Sequence, residues 1–144
     1  VNHEMPLHTV TRLVTLMDNS IAGKKILVCG VSYRQDVGDS RYSPSETLVR
    51  EIVAQGGSVT CHDPYLTYWE ELSMALPEEL PSASAFDAVV FAVPHQQYRD
   101  LDLARWVSGA SLVLDANWVF GIEQRESIRG SGVRIESIGR GNGL

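Results

Sequence analysis

Five short apolar runs alternate with longer stretches of helical spacing, and this alternation limits the fold more than any other feature. The runs are "KKILVCG", "SVTCHD", "FDAVVFAV", "SLVLDA" and "VRIESIG". Each is too short for a buried helix and continuously apolar rather than alternating, the pattern of a strand covered on both faces. Strand and helix in strict succession predict a parallel sheet with helices on either side. Right-handed crossovers then make the domain an α/β, Rossmann-like doubly wound sheet.

The intervening segments supply the helices. "HEMPLHTVTRLVTLMDNS" precedes the first strand, with Met5, Val10, Leu13, Val14 and Met17 at helical spacing and Leu7 and Leu16 widening the apolar face. Pro6 suits a first turn. "SPSETLVREIVAQGG" carries Ser43 as N-cap, Pro44 at the first helical position, Glu46 in capping-box position and Gly56-Gly57 as a stop. "PYLTYWEELSMAL" is expected to be a loop and short helix, "HQQYRDLDLARWVSG" a helix, and "FGIEQRESIRGSG" another. "LPEELPSASA" reads as a surface loop, and the tail "RGNGL" as frayed.

Composition narrows the function. The 144 residues suffice for one domain with a sizeable core. A net charge of -6 argues against a nucleic-acid surface, though it leaves room for a local cationic pocket. No run is long enough to span a membrane, and no secretory signal is visible, so the expected location is cytoplasmic. The chain begins at Val1 without an initiator Met, which weakens any inference from a missing targeting segment. Cys29 and Cys61 sit mid-strand among apolar neighbours and are expected to be reduced core residues, inert as nucleophiles. No Cys or His cluster has metal-ligand spacing.

The loop after the first strand, "GVSYRQDVGDSRYSP", occupies the position where such sheets bind ligands. It lacks the close-approach glycines of a dinucleotide loop and the Gly-Lys-Ser/Thr of a P-loop. An acidic residue, Asp63, ends the second strand but carries little weight without those glycines. The loop does offer the Tyr33 ring for stacking and two guanidinium groups, Arg34 and Arg41, that can fork onto phosphate oxygens. Asp36 and Asp39 would orient the arginines or offset their charge. Spacing alone leaves open an exposed loop whose charges pair with one another.

"GVSYRQDVGDSRYSPSETLVREIVAQGGSVTCHDPY" closely resembles the start of the C-terminal domain of the UDP-glucose/GDP-mannose dehydrogenase family. The matching residues are Tyr33, Asp36, Asp39, Arg41, Ser43, Pro44, Asp63 and Pro64, and "FDAVVFAVPH" and "LVLDANWVF" continue the likeness over nearly the whole chain. The resemblance implies that residues 1–20 end the family's central linker and dimerisation helix, and that 21–144 form the UDP-sugar-binding domain. It also implies an NAD-dependent oxidation of the C6 hydroxymethyl of a UDP-sugar to a carboxylate through a cysteine-bound intermediate. Tyr33 and Arg34 would touch the UDP-sugar, and Arg41 would reach the NAD. Partners implied are the UDP-sugar and NAD; the apolar face of the first helix adds an expected homodimer, and charge and hydropathy predict no nucleic acid and no membrane.

Two departures stand out. The family usually has Lys where this chain has Arg34. An Arg usual after the Asp of the fourth strand is absent from Asp115-Ala116-Asn117-Trp118, leaving Asn117 and Trp118 to contact substrate by hydrogen bonding or stacking. The family's nucleophilic Cys and its Lys, Asn and Asp motifs are missing, and Asn2 does not match the catalytic Asn. The fragment alone is therefore expected to be inactive. His3, His8 and His62 read as solvated or hydrogen-bonded, with His95 and Asn117 the two rim residues to watch. "VSYRQDVGDSRYSP", "HDPYLTYWEE" and "AVPHQQY" resemble members acting on UDP-N-acetylhexosamines more than those acting on UDP-glucose. The competing class is a dimerisation module on the same fold that has lost its ligand. A receiver domain is excluded, because the third strand ends in Val93-Pro94-His95 rather than a phosphoacceptor Asp.

Overall fold

The structure is a computed structural model that describes residues 4–107 and 109–138. Asn2, His3 and the tail "RGNGL" lie outside the described residues. Helix α1 (Glu4–Leu16) leads into β1 (Lys25–Cys29), α2 (Pro44–Ala54) and β2 (Ser58–His62). A small antiparallel hairpin of β3 (Tyr68–Trp69) and β4 (Met74–Ala75) follows, then β5 (Ala88–Phe91). Helices α3 (Gln96–Arg99) and α4 (Leu103–Trp106), β6 (Leu112–Asp115), α5 (Ile122–Gly130) and β7 (Arg134–Ser137) complete the order.

All five expected strands join one parallel sheet in the order β2-β1-β5-β6-β7. Successive strand residues face opposite layers. Ile26, Val28, Val90 and Leu114 pack with Val10 and Leu13 of α1 and Leu48 and Ile52 of α2. Leu27, Cys29, Phe91 and Val113 pack instead with Tyr98, Leu103, Phe120 and Ile128. The doubly wound architecture follows from these two cores. From β1 the chain crosses to β2 on one side and later to β5 on the other, so the topological switch lies between β1 and β5.

Several elements depart from expectation. The predicted short helix near residue 70 is the β3–β4 hairpin around a 3₁₀ turn at Glu70–Leu72. Burial of Trp69 in the α1/α2 core and a left-handed Ser73 override the local helix formers. The helix expected after β5 breaks into α3 and α4 at Asp100–Asp102. Ser43 caps α2 as expected, its Oγ accepting from the Ser45 N–H, but Glu46 pairs with Arg50 one turn on. On α1 the inward side is Pro6, Thr9, Val10 and Leu13, whereas Met5 and Leu7 are exposed. Burying Val10 and Leu13 contributes roughly 1.5–3 kcal/mol each, enough to dock α1 on the sheet. Among the described residues, no helix is long and apolar enough to cross a membrane.

Candidate functional site

A cleft of about 560 Å³ opens at the carboxyl ends of β1 and β5, where the strand order reverses. Tyr33, Arg34 and Gln35 line one side, Ala92, Val93, Pro94, Ala116 and Asn117 another. Pro44, Ser45 and Leu48 of α2 and Met5, Pro6 and Thr9 of α1 close it. The α1 wall is a contribution that the sequence did not disclose, because helical spacing marks a face without saying what it borders. Arg34 lies over the Tyr33 ring at 5.3 Å, so the loop presents a cation stacked on an aromatic face.

Two buried carboxylates shape the loops around this cleft. Asp63, just past β2, accepts from the Val31 N–H (2.9 Å), the Ser32 N–H (3.0 Å) and the Ser32 hydroxyl (3.0 Å) through Oδ2. Its Oδ1 accepts from the Tyr65 N–H at 2.9 Å, and His95 Nε2 lies 2.9 Å from Oδ2. Burial pushes the Asp63 carboxyl up, but the bonds from His95, Tyr65 and Val31 outweigh it and the net shift is downward. Asp63 thus organises the start of the loop that follows β1. Asp115 does the same at the end of β6, collecting the N–H groups of Asn117, Val119 and Phe120 and the Arg125 guanidinium.

The expected site residues are only partly brought together. Tyr33, Arg34 and Asn117 share the cleft, with Asn117 Nδ2 donating to the Ala92 carbonyl at 3.2 Å. Trp118 does not join them. It sits at φ +50°, its ring 4.0 Å from the buried Arg125 guanidinium, and borders a separate hollow with Arg99 and Ile122. Arg41 is exposed and forks onto Asp39 at 2.8 Å, outside the cleft lining. Hydrogen bonds from its guanidinium and then its backbone hold the Asp39 carboxyl down at about 2. Asp36 orients neither arginine: its Oδ1 accepts from the Gln96 N–H and the Tyr65 hydroxyl. His62 and His95 are both buried and hydrogen-bonded.

Neither cysteine suits a nucleophile. Burial, with Cys61 and Asp63 adding to it, pushes the Cys29 thiol far up, and burial takes Cys61 to about 12. Gly30 does not fit a dinucleotide either, because its bare Cα is taken up by Val93 and not by an open phosphate site. Among the described residues no group of acids, histidines or cysteines could hold a metal.

The family model for the UDP-glucose/GDP-mannose dehydrogenase family, UDP binding domain, matches residues 27–121, which include Tyr33, Arg34 and Asn117. The chain belongs to that family. Similar curated members of it include a UDP-N-acetyl-D-mannosamine dehydrogenase from Methanocaldococcus jannaschii, 29% identical over 71% of this chain and 23% of the relative. A UDP-glucose 6-dehydrogenase from Rickettsia bellii is 25% identical over 96% of this chain and 33% of its own length. An NDP-N-acetyl-D-galactosaminuronic acid dehydrogenase from Methanosarcina mazei has the same fold, with a TM-score of 0.80 at 24% identity over 95% of this chain and 30% of that one. The chain thus spans a third or less of each of these proteins.

Proposed function

We propose that this chain holds the UDP part of the substrate in an NAD-dependent UDP-sugar 6-dehydrogenase. The observation that carries the reading is the Arg34–Tyr33 stack on the rim of an apolar-walled cleft at the strand switch point. Arg34 supplies a forked cation for the pyrophosphate, Tyr33 a ring for stacking, and Asn117 a side-chain amide on the opposite rim. The whole protein's reaction would convert the sugar C6 hydroxymethyl to a carboxylate, with NAD and the nucleophilic cysteine supplied by other segments. Arg41, exposed beside Asp39, is the residue available to a cofactor held there. Trp118 is left out of the substrate contacts because its ring lies against Arg125.

The sugar proposed is a UDP-N-acetylhexosamine, on the spelling of segments 31–44, 62–71 and 92–98. Relatives named for both sugars match at similar identity, so ligand ranking has to decide. A homodimer belongs to the same reading, with Met5 and Leu7 the exposed apolar residues of α1 available to it.

Calorimetric titration of the chain with UDP, UDP-glucose and UDP-N-acetylglucosamine, with NAD as control, tests the reading. The uridine ligands are expected to bind and NAD is not. Arg34→Ala should weaken UDP binding by about 1.5–3 kcal/mol through loss of a charge-assisted hydrogen bond. An unchanged affinity in that variant would remove Arg34 from the site, and no uridine binding at all would leave either a site completed by the rest of the protein or the dimerisation module, which titration of the full-length protein decides.

A further inference from the structure

The two residues of the loop after β1 proposed to meet the ligand, Tyr33 and Arg34, lie between two anchors. Ser32 on one side is tied to Asp63 through both its N–H and its hydroxyl. Asp36 on the other donates its N–H to His95 Nδ1 at 2.9 Å, and its Oδ1 accepts from the Gln96 N–H at 2.9 Å. The anchors meet in the interior, where the fully buried His95 bridges Asp36 and Asp63.

The geometry fixes where the His95 proton sits. A backbone N–H can only donate, so Nδ1 receives that bond through its lone pair and carries no hydrogen. Asp63 Oδ2 accepts from three other donors, so the hydrogen on this ring sits at Nε2 and points at the carboxylate. The tautomer is set from both sides at once. Asp36 itself sits at φ +59°, a conformation uncommon for a residue with a side chain, and holds it with both backbone and carboxylate engaged. Tyr65 closes the arrangement, its ring 5.1 Å from His95 and its hydroxyl on Asp36.

We propose that His95, neutral with its proton on Nε2, is a positioning residue that sets the ligand loop by bridging Asp63 to the Asp36 amide. It touches no ligand and acts through the backbone on either side of Tyr33 and Arg34. Without an acceptor at Nδ1 the Asp36 N–H loses its partner, and the Arg34 end of the loop is freed from the β5–α3 corner. The link from His95 to affinity rests on the UDP reading above. The link from His95 to loop order does not.

Two measurements on the chain keep those links separate. The first needs no ligand: imidazole nitrogen NMR should show His95 as the neutral Nε2-H tautomer, and amide exchange at Asp36 and Gln96 should be slow. An Nδ1-H tautomer or an imidazolium would overturn the proposal even if His95→Phe fails to fold. The second compares His95→Gln, whose amide oxygen and nitrogen can replace the acceptor and the donor, with His95→Phe, which keeps a ring and offers neither. His95→Gln should keep slow exchange and UDP affinity within about threefold, whereas His95→Phe should exchange quickly and bind about tenfold more weakly, the loss of one hydrogen bond. A folded His95→Phe with protected Asp36 and Gln96 amides, or a His95→Gln as impaired as His95→Phe, would overturn it. Absence of UDP binding in the unaltered chain and in the full-length protein, with tautomer and exchange as expected, would instead sink the ligand reading alone.

Discussion

Gly30 closes β1 at φ +106°, and a Cβ built there would stand 2.6 Å from Val93 Cβ and 2.8 Å from Val93 N. One of those contacts is backbone, so no side-chain rotation relieves the overlap. The glycine lets the chain leave β1 against the β5 end, which brings the two rims of the cleft together. Gly30→Ala should therefore cost at least about 1–3 kcal/mol, the range for a residue forced into a sparsely populated conformation. Urea unfolding checks this, and a loss below half a kilocalorie would mean that β1 and β5 separate easily there. The sequence showed Gly30 and the rim residues Tyr33 and Arg34 because side-chain chemistry is written in letters. It hid the anchors of Asp63, because their partners are backbone N–H groups some thirty positions away that carry no residue code.

The connection from β6 to α5 shows the same limit at the scale of an element. The strand "SLVLDA" and the following helix were legible from apolar runs and turn residues. That Arg125 turns inward to Asp115 Oδ2 at 2.9 Å was not, since on helical spacing it reads as one more exposed charge. The pair is almost wholly buried and satisfied further by the Phe120 carbonyl and the Ser137 hydroxyl. Asp115→Ala should thus cost about 3–5 kcal/mol, because it strands a buried guanidinium. The double variant Asp115→Ala/Arg125→Met should recover part of that loss. A denaturant double-mutant cycle reads the difference, and strictly additive losses would show that the two residues act independently. The hairpin misread as helix has a related cause: burial of Trp69 outweighs local propensity.

At the scale of the molecule the strand succession predicted the sheet, but not that α1 would wall the cleft, which depends on packing across the fold. The buried polar cluster behind the cleft also couples the fold to pH. Burial lowers His62 from its ordinary 6.5 despite the opposing charge of Asp63, while hydrogen bonds carry Asp63 below its ordinary 3.8 against the pull of burial. For both groups the unfolded chain binds protons more readily than the folded one, so each favours folding most at higher pH. The His62 contribution is complete above about 6.5 and is lost as pH falls from there through its folded value. The Asp63 contribution survives that decline and fails only as pH falls below 3.8. Unfolding midpoints should therefore be level between neutrality and the onset of thiol ionisation near the ordinary 9.0 of Cys29 and Cys61, and fall in two stages on acidification. His62→Asn can still donate to the Tyr98 hydroxyl oxygen, which lies 2.8 Å from His62 Nδ1, but it cannot titrate. It should flatten the first stage and leave the second. A first stage of unchanged steepness in that variant would place the acid-sensitive group elsewhere in the fold.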